Sequence, residues 1–414
     1  MKKNIIALGA AALMTLALVG CNETTDSNVI KLEYSGTANN QTFNESLFEK
    51  FKEARKAAGD THEYEITYVA HGPDAVDSEV QDWEVGPDVY EFASDKITGL
   101  YEKGALAKIV GDNATFIEEN NSELGKDLAK FNEAYYAYPY TGDNTYYLQY
   151  DKSFFSADDV KSIETILSKA ADADKKVGYN LKTAFWGGGA MFTFGADYKM
   201  TFDVDGAVSN IEADFDTEKG LKAAKAIYTI MRSPAWQDAM EAPTPTNNLV
   251  ACVAGTWDIK AYKEALGENY ACAVMPTVTI DGDTKNLGAF LGGKLFGINP
   301  QRAGTDTDRL LAAHELAKFM SGKEAQLARF DDQGVAPCNL DAAKEERVLS
   351  DPNVKVLLEH SNYAHAQTAV PAKFWDAPTV LTSAIGEAVD KGTELDDTAL
   401  QNLVTTFNNS VKSK

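Results

Sequence analysis

Residues 86–95 read Gly86-Pro87-Asp88-Val89-Tyr90-Glu91-Phe92-Ala93-Ser94-Asp95. After the Gly-Pro turn signal, segment 88–92 predicts a short buried strand. Upstream, apolar runs predict strands at 30–34 and 64–69, and helical spacing predicts helices at 46–58 and 76–83. This β-α-β-α-β order indicates α/β architecture and a doubly wound half-domain. Such domains bind ligands at the carboxyl ends of their strands, which is where Asp95 falls.

The N-terminus has the layout of a secretory signal. Lys2 and Lys3 form a basic head, residues 5–19 are apolar apart from Thr15, and Leu18-Val19-Gly20-Cys21 resembles a bacterial lipobox. This predicts a signal peptide at 1–20, a lipidated Cys21 and a tether at 21–29. An ordinary signal peptide with a chance cysteine is the alternative. We expect an exported protein, lipid-anchored at the outer face of the cytoplasmic membrane (the cell surface) or in the periplasm.

Composition excludes some classes of partner. The 414 residues include 62 acidic and 39 basic ones, for a formal charge of −23. Nucleic acids and anionic membrane surfaces need clustered Lys and Arg, so neither is expected as a partner. A neutral or weakly charged ligand fits better. The apolar fraction of 44% is enough for a full core.

Cysteine chemistry stays open at this stage. Beyond Cys21, the sequence has Cys252, Cys272 and Cys338. Cys252 and Cys272 lie in short apolar runs, and a disulfide between them is sterically possible if those runs are neighbouring strands. The alternative is that all three are small buried residues.

Catalytic and metal-binding patterns are incomplete. His314-Glu315 begins like a zinc-protease helix, but Lys318 stands where the second histidine is needed. The five histidines form no spaced cluster. We therefore assign no catalytic residue, no metal ligand and no cofactor. Because 62 acidic residues offer many carboxylate pairs, an exported glycosidase stays open as an alternative.

Short motifs in a fixed order carry a family resemblance. They are Gly86-Pro87-Asp88-Val89, Phe92-Ala93-Ser94-Asp95, residues 99–106, Ala137-Tyr138-Pro139, Tyr150-Asp151-Lys152, Ala254-Gly255-Thr256-Trp257, residues 270–276, Phe296-Gly297-Ile298-Asn299 and Phe374-Trp375. In these motifs the chain resembles the carbohydrate-binding proteins of ABC importers, particularly the maltose/maltodextrin-binding branch. The resemblance covers nearly the whole mature chain.

The resemblance implies a two-lobed periplasmic-binding-protein fold (type II, Venus-flytrap) with lobes linked by crossing segments. The expected N-lobe comprises residues 30–141 and 289–350. The expected C-lobe comprises residues 142–288 and 351–414. Lobes of this kind close on a ligand by hinge bending.

The resemblance also points to ligand-binding residues. Asp95 and Asp143 match acidic positions that would accept hydrogen bonds from sugar hydroxyls, and Asn39 lies in the first cleft loop. Asn39 and Asn40 replace a charged pair that maltose binders commonly show, which weakens the case for maltose itself. Asp95 could instead be a helix N-cap, and Asp143 a turn residue.

Aromatic side chains complete the predicted site. Trp257 and Trp375 match stacking platforms for the apolar face of a pyranose ring, and either Phe185 or Trp186 matches a third. Trp257 directly follows Gly255-Thr256 at a predicted strand end.

These observations predict a receptor that captures an oligosaccharide, with malto-oligosaccharides the first choice, and delivers it to an ABC permease. We expect a monomer. The alternatives are the same fold binding another oligosaccharide, a polyamine, a peptide or a metal ion, and the glycosidase named above.

Overall fold

The computed structural model describes residues 28–203, 207–368 and 370–413. The predicted signal peptide and Cys21 lie outside these residues. Within them, no helix has both the length and the apolar character needed to cross a membrane.

The described residues form mixed α/β structure. The strands are β1 (Val29–Gly36), β2 (Glu63–Ala70), β3 (Val89–Ala93), β4 (Lys130–Phe131), β5 (Ala134–Tyr135), β6 (Ala137–Asp151), β7 (Lys176–Tyr179), β8 (Tyr198–Phe202), β9 (Val208–Ala213), β10 (Trp236–Gln237), β11 (Leu249–Gly255), β12 (Tyr270–Ala273), β13 (Thr277–Ile280), β14 (Asp283–Asn286), β15 (Phe290–Ile298) and β16 (His365–Ala366).

The helices lie between these strands or follow the last of them. They are α1 (Gln41–Ala57), α2 (Val76–Glu79), α3 (Ile97–Glu102), α4 (Asp112–Asn120), α5 (Glu123–Leu128), α6 (Ile163–Asp172), α7 (Ala184–Ala190), α8 (Glu218–Met231), α9 (Ile259–Leu266), α10 (Pro300–Ala303), α11 (Thr307–Met320), α12 (Lys323–Gln333), α13 (Leu340–Ala343), α14 (Glu346–Ser350), α15 (Pro352–His360), α16 (Ala377–Asp390) and α17 (Asp397–Lys412).

The N-terminal part confirms the predicted β-α-β-α-β order. β1 pairs in parallel with β2 and with β3, and α1 buries Leu47, Phe48 and Phe51 as its spacing predicts. The predicted second helix is too long. It ends at Glu79 because Val80 is extended (ψ 104°), and Trp83 then packs on Tyr90 with ring centroids 4.9 Å apart.

Two strands run through the centre of one continuous sheet. Its order is β10-β7-β11-β6-β15-β3-β1-β2, with β12 also paired to β6 and β16 to β15. The 15-residue β6 and the nine-residue β15 are antiparallel, from Gly297 opposite Ala137 to Leu291 opposite Thr145. They therefore join the N-terminal strands to the C-terminal ones.

Two hydrophobic cores lie on either side of this junction. The first extends from Leu32 to Tyr140 and includes Leu295, Phe296 and the buried face of α11. The second takes residues from Tyr146 to Phe290 and from the C-terminal helices α16 and α17. The chain thus forms two lobes, and it passes between them more than once.

A β-bulge marks the passage between the lobes. Gly292 faces Asn144, but Lys294 faces Thr141, so Gly142 and Asp143 oppose Gly293 alone. Bulges of this kind kink a strand and redirect its side chains. A Cβ at Gly293 would lie 2.3 Å from the Thr141 carbonyl oxygen, so only glycine fits there.

The structure contradicts a Cys252–Cys272 disulfide. Both cysteines are free, and both pair opposite Gln149, on opposite edges of β6. Two strand spacings separate them, about 10 Å, whereas bridged cysteines have Cα atoms roughly 4.4–6.8 Å apart. Cys252 and Cys338 are buried, and Cys272 is half-buried.

The bulge can be tested by substitution. We expect Gly293→Ala to lower the free energy of unfolding by about 1–3 kcal/mol, because the new methyl group meets backbone rather than a movable side chain. Gly99→Ala is the control, since a Cβ at this helical position meets nothing within 4 Å. It should stabilise by about 0.5–1 kcal/mol. Urea titrations would measure the free energy of unfolding of both variants. Equal changes in the two would contradict the requirement for glycine at position 293.

Candidate functional site

An aromatic wall forms where four segments of the chain meet. Phe185 on α7 stacks on Phe290 of β15 with centroids 5.7 Å apart and planes 7° apart. The ring centroid of Phe185 also lies 6.1 Å from that of Trp257 and 6.4 Å from that of Trp375. Trp375 in turn lies 5.4 Å from Phe290. The structure therefore brings together the predicted residues Phe185, Trp257 and Trp375. The first and the last of them are 190 residues apart in the sequence.

Trp257 is the most open ring of this wall, with 36% of its surface exposed. It lies in the 3₁₀ turn Thr256–Asp258 that directly follows β11. Gly255 allows the indole to fold back over the strand end, because a Cβ there would lie 2.2 Å from the ring. Trp257 thus presents a flat apolar surface at the end of a strand.

Trp186 lies behind the wall. It is only 6% exposed, it stacks on Tyr146 at 5.3 Å, and its indole Nε1 donates to the carbonyl of Val253 at 3.1 Å. Between the two alternatives that the sequence left open, the half-buried Phe185 is therefore the ring nearer the surface, and Trp186 supports it.

Asp143 lies in the bulge between the lobes. Its Oδ2 accepts from the backbone N–H of Ala336 at 2.6 Å, and its carbonyl accepts from the Thr256 hydroxyl at 2.6 Å. It is a strand-bulge residue rather than a turn residue. Burial raises the pKa of Asp143 to about 6, although the Ala336 N–H and the charge of Lys294 partly offset this.

Lys294 supplies a positive charge beside the aromatic wall. Its Nζ lies 5.7 Å from the centroid of the Trp257 ring. Together with Asp143 and Trp257 it lines a small cavity that Asn40 and Arg329 also border. Nearby, burial raises the pKa of Asp258 to about 6, and Asp258 Oδ2 is buried without a hydrogen-bond partner among the described residues.

Asp95 is the predicted acidic residue in the N-terminal lobe. It lies in the 3₁₀ turn Ser94–Lys96 after β3 and is 9% exposed. Its Oδ1 accepts from Gln367 Nε2 at 2.9 Å, so it is held by a distant side chain rather than serving as a helix cap. Burial raises the pKa of Asp95 to about 7, which Lys96 partly offsets.

One predicted residue stands apart. Asn39 is exposed in the 3₁₀ turn Ala38–Asn40, and in the described part of the chain no contact joins it to the other predicted residues. Its neighbour Asn40 borders the cavity instead.

Sequence reasoning missed several residues of this site. Lys294, Asp258, Asn144 and Gln367 lie beside predicted residues only through the fold. Asp258 alone left a signal, since it directly follows Trp257. The Asn144 amide donates to Gln367 Oε1 at 3.0 Å across 223 residues, which no local pattern reveals.

The arrangement suits a polyhydroxylated ligand with apolar faces. Aromatic rings can cover the faces, while carboxylate oxygens accept from hydroxyl groups and the Lys294 ammonium donates to them. Asp143 and Lys294 provide both kinds of hydrogen-bonding group beside the Trp257 ring.

Comparison with known proteins agrees with this fold. A model of the bacterial extracellular solute-binding protein family matches residues 46–356. No curated protein gives a significant sequence match.

Solved structures match over nearly the full chain. One, solved with acarbose, is 29% identical with a TM-score of 0.77, covering 92% of this chain and 98% of that one. The maltodextrin-binding protein MalE1 of L. casei BL23, without ligand, is 21% identical with a TM-score of 0.76, covering 93% and 99%. A cyclo/maltodextrin-binding protein with maltotetraose is 17% identical with a TM-score of 0.69, covering 92% and 97%.

These neighbours have the two-lobed periplasmic-binding architecture that the crossing strands β6 and β15 build here. The family match spans well over half of the chain. The chain therefore belongs to the bacterial extracellular solute-binding protein family.

Proposed function

We propose that this protein is the lipid-anchored substrate-binding component of an ABC sugar importer, and that it captures an oligosaccharide between its lobes. The observation that carries the proposal is the convergence of Phe185, Trp257 and Trp375 beside the carboxylate of Asp143. Asp95 contributes a second carboxylate from the N-terminal lobe. Apolar ring faces next to hydrogen-bond acceptors match the two surfaces of a pyranose.

Malto-oligosaccharides are the first choice of ligand. The neighbour structures solved with acarbose and with maltotetraose support this choice. The proposal extends to export, lipidation of Cys21, delivery to a permease and a monomeric state. It also includes the lobe boundaries at 141/142, 288/289 and 350/351.

A polyamine fits this site less well. The Lys294 ammonium lies 5.7 Å from the centroid of the Trp257 ring, within the proposed binding site. A polycation would meet this charge at short range, whereas a neutral sugar can accept a hydrogen bond from it. Other oligosaccharides remain within the same proposal.

The family and its neighbours are binding proteins, so we propose that the sugar is returned intact. A glycosidase would instead cleave the sugar. Incubation with maltotetraose followed by an assay for new reducing ends separates the two.

A thermal-shift panel tests the ligand class directly. A ligand at about 100 times its dissociation constant should stabilise the protein by roughly 2.7 kcal/mol, which raises the melting temperature by several degrees. We expect shifts with maltotetraose or acarbose and none with spermidine or a short peptide. A shift with spermidine alone would contradict a sugar ligand.

Trp257→Ala should weaken binding more than it destabilises the fold. Loss of a stacking ring at the centre of a site costs about 2 kcal/mol, or roughly 30-fold in the dissociation constant. Isothermal titration calorimetry with maltotetraose would measure it. Trp236→Ala is the control, because Trp236 is a half-buried tryptophan whose indole Nε1 donates to the Tyr179 carbonyl at 2.9 Å, outside the site. Equal affinities of the two variants would contradict the stacking role.

Affinity should fall with decreasing pH. The pKa values of Asp95 (about 7) and Asp143 (about 6) are raised chiefly by burial, so both carboxyls gain protons between pH 8 and pH 5. If ligand hydroxyls donate to the ionised form, protonation of Asp95 alone should weaken binding about 100-fold at pH 5. Titration calorimetry across this range tests it. Asp95→Asn should bind more weakly and show a flatter profile, and a flat wild-type profile would contradict the role of these carboxylates.

A further inference from the structure

Gln367 occupies the junction of both lobes, just after β16. It is 3% exposed. Its backbone N–H donates to the Leu291 carbonyl on β15 at 2.8 Å, and its carbonyl accepts from the Ser94 hydroxyl at 2.6 Å. The backbone of Gln367 is therefore fixed both to the crossing strand and to the turn that carries Asp95.

The side chain of Gln367 also joins the crossing strands to Asp95. Asn144 Nδ2 on β6 donates to Gln367 Oε1 at 3.0 Å, and Gln367 Nε2 donates to Asp95 Oδ1 at 2.9 Å. All three side chains are buried. The two amides thus point their donors in one direction, from the crossing strand toward the carboxylate, and hydrogen bonds in such a series strengthen one another.

We propose that Gln367 is a positioning residue for ligand binding. It fixes Oδ1 of Asp95, so that Oδ2 meets a ligand hydroxyl, and it ties this carboxylate to the strands that cross between the lobes. The proposal rests on the proposed function in one respect only, namely that Asp95 contacts the ligand.

The surroundings of Asp95 make the amide of Gln367 important. Lys96 is the neighbouring cation, and Asp74 and Asp77 are acidic neighbours that disfavour a further negative charge on Asp95. Tyr198 on β8 lies close enough to Asp95 for the charge of Asp95 to raise the pKa of the Tyr198 hydroxyl, after burial and Asp197. A buried carboxylate among acidic groups depends on the donors that hydrogen-bond to it, since these favour its ionised form. Removal of the Gln367 donor should therefore raise the pKa of Asp95 further.

A titration of the unliganded protein tests positioning without any assumption about the ligand. The ¹³C resonance of the Asp95 carboxyl, assigned by its loss in Asp95→Asn, is followed against pH. In Gln367→Met, which keeps the side-chain length but lacks the donor, the midpoint should rise by about one pH unit. Asn144→Leu, which keeps Gln367 and removes its partner, should raise it by less. An unchanged midpoint in both variants would overturn the proposal.

The matched control is Gln149→Met. Gln149 is an equally buried glutamine on β6, whose Oε1 accepts from the Tyr270 hydroxyl at 2.6 Å and which does not contact Asp95. This variant should leave the Asp95 midpoint at the wild-type value even if it lowers the melting temperature. A shift as large as that of Gln367→Met would show that general loosening of the fold moves the midpoint, and would overturn the proposal.

Binding of maltotetraose provides the second readout. At pH 7.5 the affinity of Gln367→Met should fall about tenfold, and its decline with pH should begin at higher pH than in the wild type. Wild-type affinity in Gln367→Met at every pH would overturn the positioning role. If the wild type itself does not bind maltotetraose while the carboxyl midpoint still rises in Gln367→Met, the proposed sugar is wrong and the positioning of Asp95 stands.

Discussion

The antiparallel pairing of β6 with β15 is the constraint on which the rest of the structure depends. Each strand begins in one hydrophobic core and ends in the other, so the two lobes share their central hydrogen bonds. Side chains at the middle of these strands belong to neither core. The bulge opposite Gly293 lies there, and it directs Asp143 out of the regular pleat. The geometry of the cleft is therefore set by the same strands that join the lobes.

Local sequence patterns predicted several elements, and one pattern predicted an aromatic ring at a strand end. The spacing of Leu47, Phe48 and Phe51 identified α1, and Gly255-Thr256 before Trp257 marked a strand end with an open ring. These patterns extend over only a few residues. They predict the folded structure correctly because they depend on local backbone geometry. The predicted length of α2 failed since Trp83, although in helical spacing with Val76, is buried by Tyr90 of another element.

Interactions between distant segments could not be predicted in this way. The sequence left a disulfide between Cys252 and Cys272 open, and the structure excludes it because β6 lies between the two strands that carry them; nothing local indicates that insertion. The contacts of Gln367 could not be predicted for a related reason. Its partners Asp95 and Asn144 are 272 and 223 residues away, so only the crossing of the chain between lobes brings them together.

Buried charge gives the cleft its chemical character and also has a cost for folding. The pKa of Asp95 lies above its value in an unfolded chain, so the folded state binds the proton more tightly. Its contribution to stability is therefore most favourable at low pH and declines as pH rises from about 4 toward 7. A ligand that donates to the ionised carboxylate acts in the opposite direction, because it favours the charged form. The ionised Asp95 carboxylate thus destabilises the unliganded protein near neutral pH, and a bound ligand hydroxyl would stabilise that same charge. Ligand binding is therefore linked to the stability of the junction between the lobes.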